Sequence, residues 1–133
     1  MAVLVNDGRK ALAEYLTAQS GNYKFGLYTN NPGINAGTVM GDLTEATYSG
    51  YARQNTTFSP VAINGDGKAE ATVSPVTFTH NGGIVSQVIN GWFVYDTNKN
   101  KLIWCQPLAA PRSMGASGDE ITIDPTFLFS QLP

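Results

Sequence analysis

One stretch of the chain reads Ile89-Asn-Gly-Trp-Phe-Val-Tyr-Asp96, and after the polar turn Thr97-Asn-Lys-Asn100 the chain continues as Leu102-Ile-Trp-Cys105. Shorter apolar or alternating runs flank this pair, at Val76-Thr-Phe-Thr79 and at Glu120-Ile-Thr-Ile-Asp-Pro-Thr-Phe127. Short runs of this kind, separated by Gly, Asn and Asp, are typical of consecutive antiparallel strands. The second half of the chain therefore predicts a β domain.

Strand periodicity also extends upstream. In the segment that begins at Tyr23, every second residue points to one side, as on a half-buried strand: Tyr23, Phe25 and Leu27. We predict further strands at Tyr48–Thr57, Ala69–Val73, Val76–Thr79, Val88–Asp96, Leu102–Gln106 and Glu120–Phe129. Turn residues such as Asn64-Gly-Asp-Gly67 separate them. The sequence thus predicts a mainly β fold, an antiparallel β-sandwich or jelly-roll-like domain over about residues 22–130.

Two of these strands have no polar face. In Trp92-Phe-Val-Tyr95 and in Leu102-Ile-Trp-Cys105, both alternating sets of side chains are apolar. Such strands must be covered on both sides. The cover comes either from the same chain, through a second sheet and a helix, or from a neighbouring subunit.

The N-terminal segment predicts the one substantial α-helix, at about residues 6–19. Its apolar stripe consists of Leu12, Tyr15 and Leu16, and Gln19 continues their spacing of three or four residues. Asn6 or Asp7 can cap the start, and Gly21 provides a stop.

The segment at about residues 30–47 contains Pro32, three Gly and no clear period, which predicts a long surface loop. Loops of this length tend to be functional or mobile. One helical turn is expected in it, at Asp42-Leu-Thr-Glu-Ala46.

Length and charge restrict the class of protein. The 133 residues fit a single domain, residues 1–133, and their 42% of apolar residues can form its core. Only 14% of the residues are charged, against roughly 25% in an average domain. This suits either a protein that associates with other subunits or a β domain rich in turns. With a net charge of −2 and no basic cluster, we expect no nucleic-acid partner.

The apolar runs are too short to cross a bilayer, and the N-terminus lacks the pattern of a signal peptide. We therefore expect no membrane partner and synthesis in a cytoplasm. The lone Cys105 cannot form an internal disulfide.

The chain carries no recognisable catalytic constellation. His80 is the only histidine, and one His and one Cys cannot form an ordinary zinc site. We interpret His80 as a surface turn residue at a strand end. Asp119 and Glu120 are adjacent, so in a strand they would point to opposite faces. We predict no enzyme, no catalytic residues, no metal and no cofactor.

The order of several short motifs resembles a known family. Phe25-Gly-Leu-Tyr-Thr-Asn30 follows the N-terminal segment, and Thr44-Glu-Ala-Thr-Tyr-Ser-Gly-Tyr-Ala52 comes next. The later pieces are Val76–Phe78, Ile89–Asp96, Leu102, Pro107–Pro111 and Gly118-Asp119. Over nearly its full length, this order is similar to that of small virion structural proteins of tailed bacteriophages, which include capsid decoration, or cement, proteins.

The resemblance implies a non-enzymatic virion protein that binds and stabilises the capsid exterior. The implied partners are the major capsid protein and further copies of the chain, with a homotrimer favoured because several sites engaged together gain avidity. Two alternatives remain: a receptor- or glycan-binding module of a tail or head fibre, and a tail or neck structural subunit. All of these imply localisation in the virion.

Residue types enriched in binding hot spots predict where such an interface lies. The candidates are Trp92, Tyr95, Trp104, Pro107, Leu108, Pro111, Arg112 and Met114. The segment Pro107–Met114 lies either extended across a neighbour or as an ordinary crossover between sheets.

Overall fold

The computed structural model describes Glu14 and residues 23–35 and 37–129, with side chains described as far as Phe127. Apart from Glu14, the predicted helix at about residues 6–19 lies outside the described residues. The described chain is mainly β, and its strand pairings are antiparallel, which confirms the predicted class. The sandwich or jelly-roll-like arrangement stays a prediction. No helix among the described residues is long and apolar enough to span a membrane.

The chain divides into two compact units. Of the described residues, the larger unit contains 23–55 and 76–123, and the smaller contains Glu14, 56–75 and 124–129. The prediction of a single domain over residues 1–133 stays a prediction.

The larger unit contains a four-stranded and a two-stranded sheet. The four-stranded sheet has the order β2-β1-β6-β7, formed by β1 (Tyr23–Tyr28), β2 (Gln54–Asn55), β6 (Gln87–Asp96) and β7 (Lys101–Met114). The two-stranded sheet pairs β5 (Val76–Thr79) with β8 (Glu120–Ile123). The long hairpin of β6 and β7 turns at residues 97–100, where Asp96 pairs with Lys101.

The smaller unit contains one three-stranded sheet. Its order is β3-β4-β9, formed by β3 (Ala62–Ile63), β4 (Ala69–Thr72) and β9 (Thr126–Phe129). The predicted turn Asn64-Gly-Asp-Gly67 joins β3 to β4. The Asn64 side-chain oxygen accepts hydrogen bonds from the backbone N–H groups of Asp66 (2.9 Å) and Lys68 (3.0 Å), and Gly67 takes a φ of 73°. The turn prediction is confirmed.

The strand bounds differ from the predictions at several places. The predicted strand Tyr48–Thr57 shrinks to Gln54–Asn55, because the chain turns at Gly50 with a φ of 94°. The predicted strand Glu120–Phe129 divides at Asp124-Pro125, and its halves pair with different partners, β5 and β4. The predicted strand Leu102–Gln106 runs on to Met114, and the two-residue strand β3 was not predicted.

One face of the four-stranded sheet is built from glycines that lie under aromatic rings. Gly26 of β1 pairs with Phe93 of β6, and Tyr28 pairs with Gly91. A Cβ atom on Gly26 would lie 2.2 Å from the Phe93 ring, and one on Gly91 would lie 2.2 Å from the Tyr28 ring. Each ring therefore occupies the space above a cross-strand glycine. Tyr28 and Phe93 are buried as a result.

The predicted loop at about residues 30–47 covers this same face. Ile34, Met40 and Leu43 pack against Tyr28 and Phe93. A 3-10 turn forms at Met40–Asp42, slightly before the predicted helical turn. The Asn30 side chain closes the loop, since it donates to the Asp42 carbonyl (2.8 Å) and accepts from the Thr44 backbone N–H (2.9 Å).

The opposite face of β1 and β6 is also buried within the single chain. Phe25 and Val94 are both 0% exposed, and Trp92 is 6% exposed. The Phe25 and Trp92 rings meet edge to face, with centroids 5.5 Å apart. Of the two covers left open by the sequence, the intramolecular one therefore applies to Trp92.

Candidate binding surface

The predicted interface residues fall mainly on β7, the edge strand of the four-stranded sheet. Five of the eight lie within one exposed or half-exposed stretch of this strand: Trp104, Pro107, Leu108, Pro111 and Arg112. Tyr95 lies on the neighbouring strand β6 and is half-buried. Trp92 and Met114 are buried, at 6% and 1% exposure, and contribute to the core. The interface itself stays a prediction.

The middle of β7 bulges away from its partner strand. Gly91 pairs with Pro107 and Ile89 pairs with Arg112, so Leu108–Pro111 lie opposite the single residue Asn90. Such a bulge interrupts the ladder and bends the strand. Prolines on an edge strand oppose the addition of another strand, because they have no N–H to donate. A binding partner at the bulge therefore meets side chains rather than a continuous row of backbone N–H and C=O groups.

A cleft of about 290 Å³ lies beside the first half of β7. One wall is the covering loop, with Ile34, Asn35 and Thr38, and the other wall is the strand segment Leu102–Cys105. Its volume is near the lower end of the range for small-ligand sites. Asn35 and Thr38 are held by each other, since the Asn35 backbone N–H donates to the Thr38 hydroxyl (2.9 Å). Burial raises the pKa of the Cys105 thiol, which makes this thiol a weaker nucleophile at neutral pH.

A charged cluster supports the sheet behind this surface. Arg53 donates two hydrogen bonds to the Glu45 carboxylate, both 2.8 Å long, and Tyr51 donates a third of 2.7 Å. The Arg53 guanidinium also lies over the rings of Phe93 (5.3 Å) and Tyr95 (4.6 Å). Cation–π contacts of this kind add to the bidentate ion pair. Arg53 therefore connects the Glu45 carboxylate to the rings of Phe93 and Tyr95.

The pKa values of the cluster follow from its contacts. Burial works to raise the pKa of Glu45, but the hydrogen bonds from Arg53 and Tyr51 and the Arg53 charge hold that pKa below its ordinary value. Burial and the hydrogen bond to Glu45 raise the pKa of Tyr51. The Tyr51 hydroxyl also accepts the Leu27 backbone N–H (3.1 Å), so it joins the cluster to β1. These groups are positioned to stabilise the fold.

The segment between β5 and β6 presents an apolar residue that the sequence did not single out. Ile84 is 99% exposed, although the backbone around it is held by hydrogen bonds. Ser49 binds Val85 twice: its N–H donates to the Val85 carbonyl (3.0 Å), and its hydroxyl accepts the Val85 N–H (2.9 Å). The only signal in the sequence was a β-branched residue directly after Gly82-Gly83.

His80 also holds the segment between β5 and β6 in place. Its interpretation as a surface residue is wrong. The side chain is 1% exposed and its ring stacks on Tyr48, with centroids 5.7 Å apart. The Gly82 N–H donates to Nδ1 (2.9 Å), so Nδ1 is the acceptor and Nε2 carries the proton that it donates to the Val85 carbonyl (2.9 Å). Both ring nitrogens are used in the fold.

Asp119 also supports a turn. Its Oδ2 accepts hydrogen bonds from the backbone N–H groups of Gly115 (3.0 Å) and Ala116 (2.9 Å). These two bonds hold the pKa of Asp119 below its ordinary value. Within the described part of the chain, no group of three or more His, Cys, Asp or Glu could hold a metal ion.

Comparison with known proteins identifies the family of the chain. No curated protein matches the chain. The sequence model of a family described as podophage GP4 fiber I protein gp80 matches residues 11–128, which is most of the chain of 133 residues. The match supports the predicted class of phage virion structural proteins and virion localisation, and within that class it favours the fibre alternative over capsid decoration. The chain belongs to the podophage GP4 fiber I protein gp80 family.

Proposed function

We propose that the chain is a non-enzymatic structural module of a fibre on a podophage virion. The observation that carries this proposal is the family match over residues 11–128. The β fold supports it, because stacked or associated β modules give a fibre rigid elements with side chains available for contact. The described surface offers two features suited to binding: the bulged edge strand β7 and the cleft beside it. Its polar clusters stabilise the fold.

Copies of the chain associate with one another in this proposal, and three copies are favoured. A fibre repeats the same module, so each copy needs surfaces that recognise the next one. The low share of charged residues, 14%, lowers the desolvation cost of such contacts. The predicted contact region is the part of β7 with exposed Pro107 and Pro111 and half-buried Leu108.

Labelling of intact virions tests the location. Antibody fragments raised against the purified chain, carrying gold particles, are imaged on virions by electron microscopy. The fibre proposal expects gold on projecting fibres. Gold distributed evenly over the faces of the head would refute it and would instead support decoration of the capsid through the major capsid protein.

The isolated chain distinguishes a structural module from a receptor-binding one. A structural module associates with itself and binds no glycan on an array. Specific glycan binding at micromolar concentration would favour the receptor- or glycan-binding alternative, and rings or tubes of six would favour a tail or neck subunit.

A further inference from the structure

Three Asn-Gly pairs occur in the chain, beginning at Asn64, Asn81 and Asn90. In such a pair, the backbone nitrogen of the glycine can attack the side-chain carbonyl carbon of the asparagine, because glycine has no side chain to hinder the approach. The attack forms a cyclic imide and releases ammonia. The surroundings of each pair therefore decide whether the fold promotes or prevents this reaction.

At Asn81 the fold places a base on the attacking nitrogen. The Gly82 backbone N–H donates a hydrogen bond of 2.9 Å to Nδ1 of His80, which is within the distance over which a general base takes a proton. Nε2 of the same ring donates to the Val85 carbonyl (2.9 Å), and the ring stacks on Tyr48. These contacts keep the Nδ1 lone pair directed at the Gly82 N–H. A base oriented by a further group is the arrangement that activates nucleophiles in enzymes.

The carbonyl group that undergoes the attack is also held. Oδ1 of Asn81 accepts a hydrogen bond from the Gly83 backbone N–H (2.9 Å). Negative charge develops on this oxygen when the nitrogen bonds to the carbonyl carbon, and a donor already in place stabilises that charge. The Asn81 side chain packs over Gly50, where an added Cβ atom would lie 3.1 Å from Asn81 Cγ. Asn81 is exposed, so water can reach the product and ammonia can leave.

We propose that Asn81 is a site of self-catalysed deamidation in the folded chain. His80 Nδ1 takes the proton from the Gly82 nitrogen, and this nitrogen forms a bond to Asn81 Cγ. The bond from Cγ to Nδ2 then breaks, and the proton passes from His80 to Nδ2, which leaves as ammonia. Water adds to either carbonyl of the imide and opens it to aspartate or isoaspartate. No group is oxidised or reduced, and His80 returns to its neutral form.

The product changes the segment that carries Ile84. Both products place a negative charge at position 81, and isoaspartate also lengthens the backbone by one methylene group. The inference goes beyond the proposed function and does not depend on it.

Within the described residues, the other two Asn-Gly pairs lie in different surroundings. His80 is the only histidine, and both of its ring nitrogens are engaged in its own segment. Oδ1 of Asn64 accepts two backbone N–H groups and its Nδ2 donates to Glu70 (3.1 Å), which holds this side chain in its turn. Asn90 lies in β6, which is paired on both sides, and its Nδ2 donates to the Thr29 carbonyl. These two pairs are controls within the same molecule.

Peptide mapping of the purified chain tests the proposal. The folded chain and the chain unfolded in urea are incubated at neutral pH in water enriched in a heavy oxygen isotope, which labels each newly formed carboxylate. Tandem mass spectrometry then follows conversion at each Asn-Gly pair. Asn81 should convert at least about 10-fold faster in the folded chain than in urea, because a general base contributes about 10²–10⁴-fold. Asn64 and Asn90 should convert more slowly in the folded chain, because the fold restricts the rotations that ring closure needs.

Two variants separate the action of the base from support of the segment. His80→Gln keeps an acceptor for the Gly82 N–H but cannot take its proton, so it should slow conversion of Asn81 by at least about 10-fold. Ser49→Ala removes a side-chain hydrogen bond to the Val85 N–H (2.9 Å) and keeps His80, so it should not slow conversion. Near-ultraviolet circular dichroism checks that both variants are folded.

The proposal would be overturned if Asn81 converted no faster in the folded chain than in urea, or no faster than Asn64 and Asn90. Unchanged conversion in His80→Gln, or equal slowing in His80→Gln and Ser49→Ala, would also refute the role of His80 as the base. If His80→Gln does not fold, the comparison of the folded and unfolded natural chain decides alone. None of these results affects the virion labelling.

Discussion

Replacing Gly26 with alanine tests whether the aromatic rings need the glycines beneath them. A Cβ atom at this position would lie 2.2 Å from Phe93 Cζ and 2.7 Å from the Tyr51 hydroxyl oxygen. Ordinary contacts between carbon atoms are about 3.5–4.0 Å, so the Phe93 ring must move by more than about 1 Å. The ring is 0% exposed, and its strand is paired on both sides, by β1 and β7. It cannot turn out into solvent.

The expected loss of stability follows from two opposed effects. Overpacking of a core costs about 1–3 kcal/mol, and contact with two separate groups places Gly26→Ala near about 3 kcal/mol. Replacing glycine also lowers the conformational entropy of the unfolded chain, which stabilises the folded state by about 0.4–1 kcal/mol. The net destabilisation is about 2 kcal/mol, and the melting temperature should fall by about 8 °C for a chain of this size.

Thermal unfolding followed by near-ultraviolet circular dichroism, together with urea titration, measures this loss. The matched control is Gly41→Ala, since no atom lies within 4 Å of a Cβ built on Gly41. It should change stability by less than about 0.5 kcal/mol. In the double variant Gly26→Ala/Phe93→Leu, the combined loss should be smaller than the sum of the single losses, because the shorter side chain leaves room for the new methyl group. Equal effects at Gly26 and Gly41, or strict additivity in the double variant, would refute the explanation.

Three other predictions concern the charged cluster and one turn. Because the folded-state pKa of Glu45 is lowered, its stabilisation is present above its ordinary value of 4.5 and is lost as the pH falls through the lowered folded value. Between pH 7 and pH 3, the free energy of unfolding of Glu45→Gln, measured by urea unfolding, should therefore fall less than that of the unchanged chain. An equal fall in both proteins would contradict this. Tyr51→Phe should cost about 1–3 kcal/mol, because the Leu27 N–H loses its acceptor and Glu45 loses a donor; a neutral result in the same assay would rule this out. Asn100 has a φ of 54°, so Asn100→Val should cost about 1–2 kcal/mol in thermal unfolding, whereas Asn100→Gly should cost little; equal costs would count against backbone strain.

The sequence predicted the elements whose signal is local. The alternation of Tyr23, Phe25 and Leu27 specified β1, and Val76–Thr79 was predicted with the bounds that the structure shows. The turn at Asn64–Gly67 was also predicted, because its side-chain and glycine chemistry acts over four residues. These features need no knowledge of distant partners.

The features that the sequence did not predict depend on contacts between distant segments. Nothing near Gly26 indicates that an aromatic ring from residue 93 lies over it. The exposure of Ile84 is likewise invisible in the sequence, since an aliphatic residue is more often buried. Among the interface candidates, Met114 was chosen by residue type alone, and its burial at the end of a strand that is otherwise exposed or half-exposed comes from the fold.

The three-stranded sheet of the smaller unit has a consequence for synthesis of the chain. Its central strand β4 ends at Thr72, but the partner on one side, β9, begins only at Thr126. At about 5–20 residues per second, the intervening 54 residues (126 − 72) take about 3–11 s to be made. During those seconds the nascent chain carries an unpaired strand edge that could join a neighbouring nascent chain. Glu70, the second residue of this strand, places a charge on it, and charged side chains on an unpaired strand oppose edge-to-edge pairing with other chains.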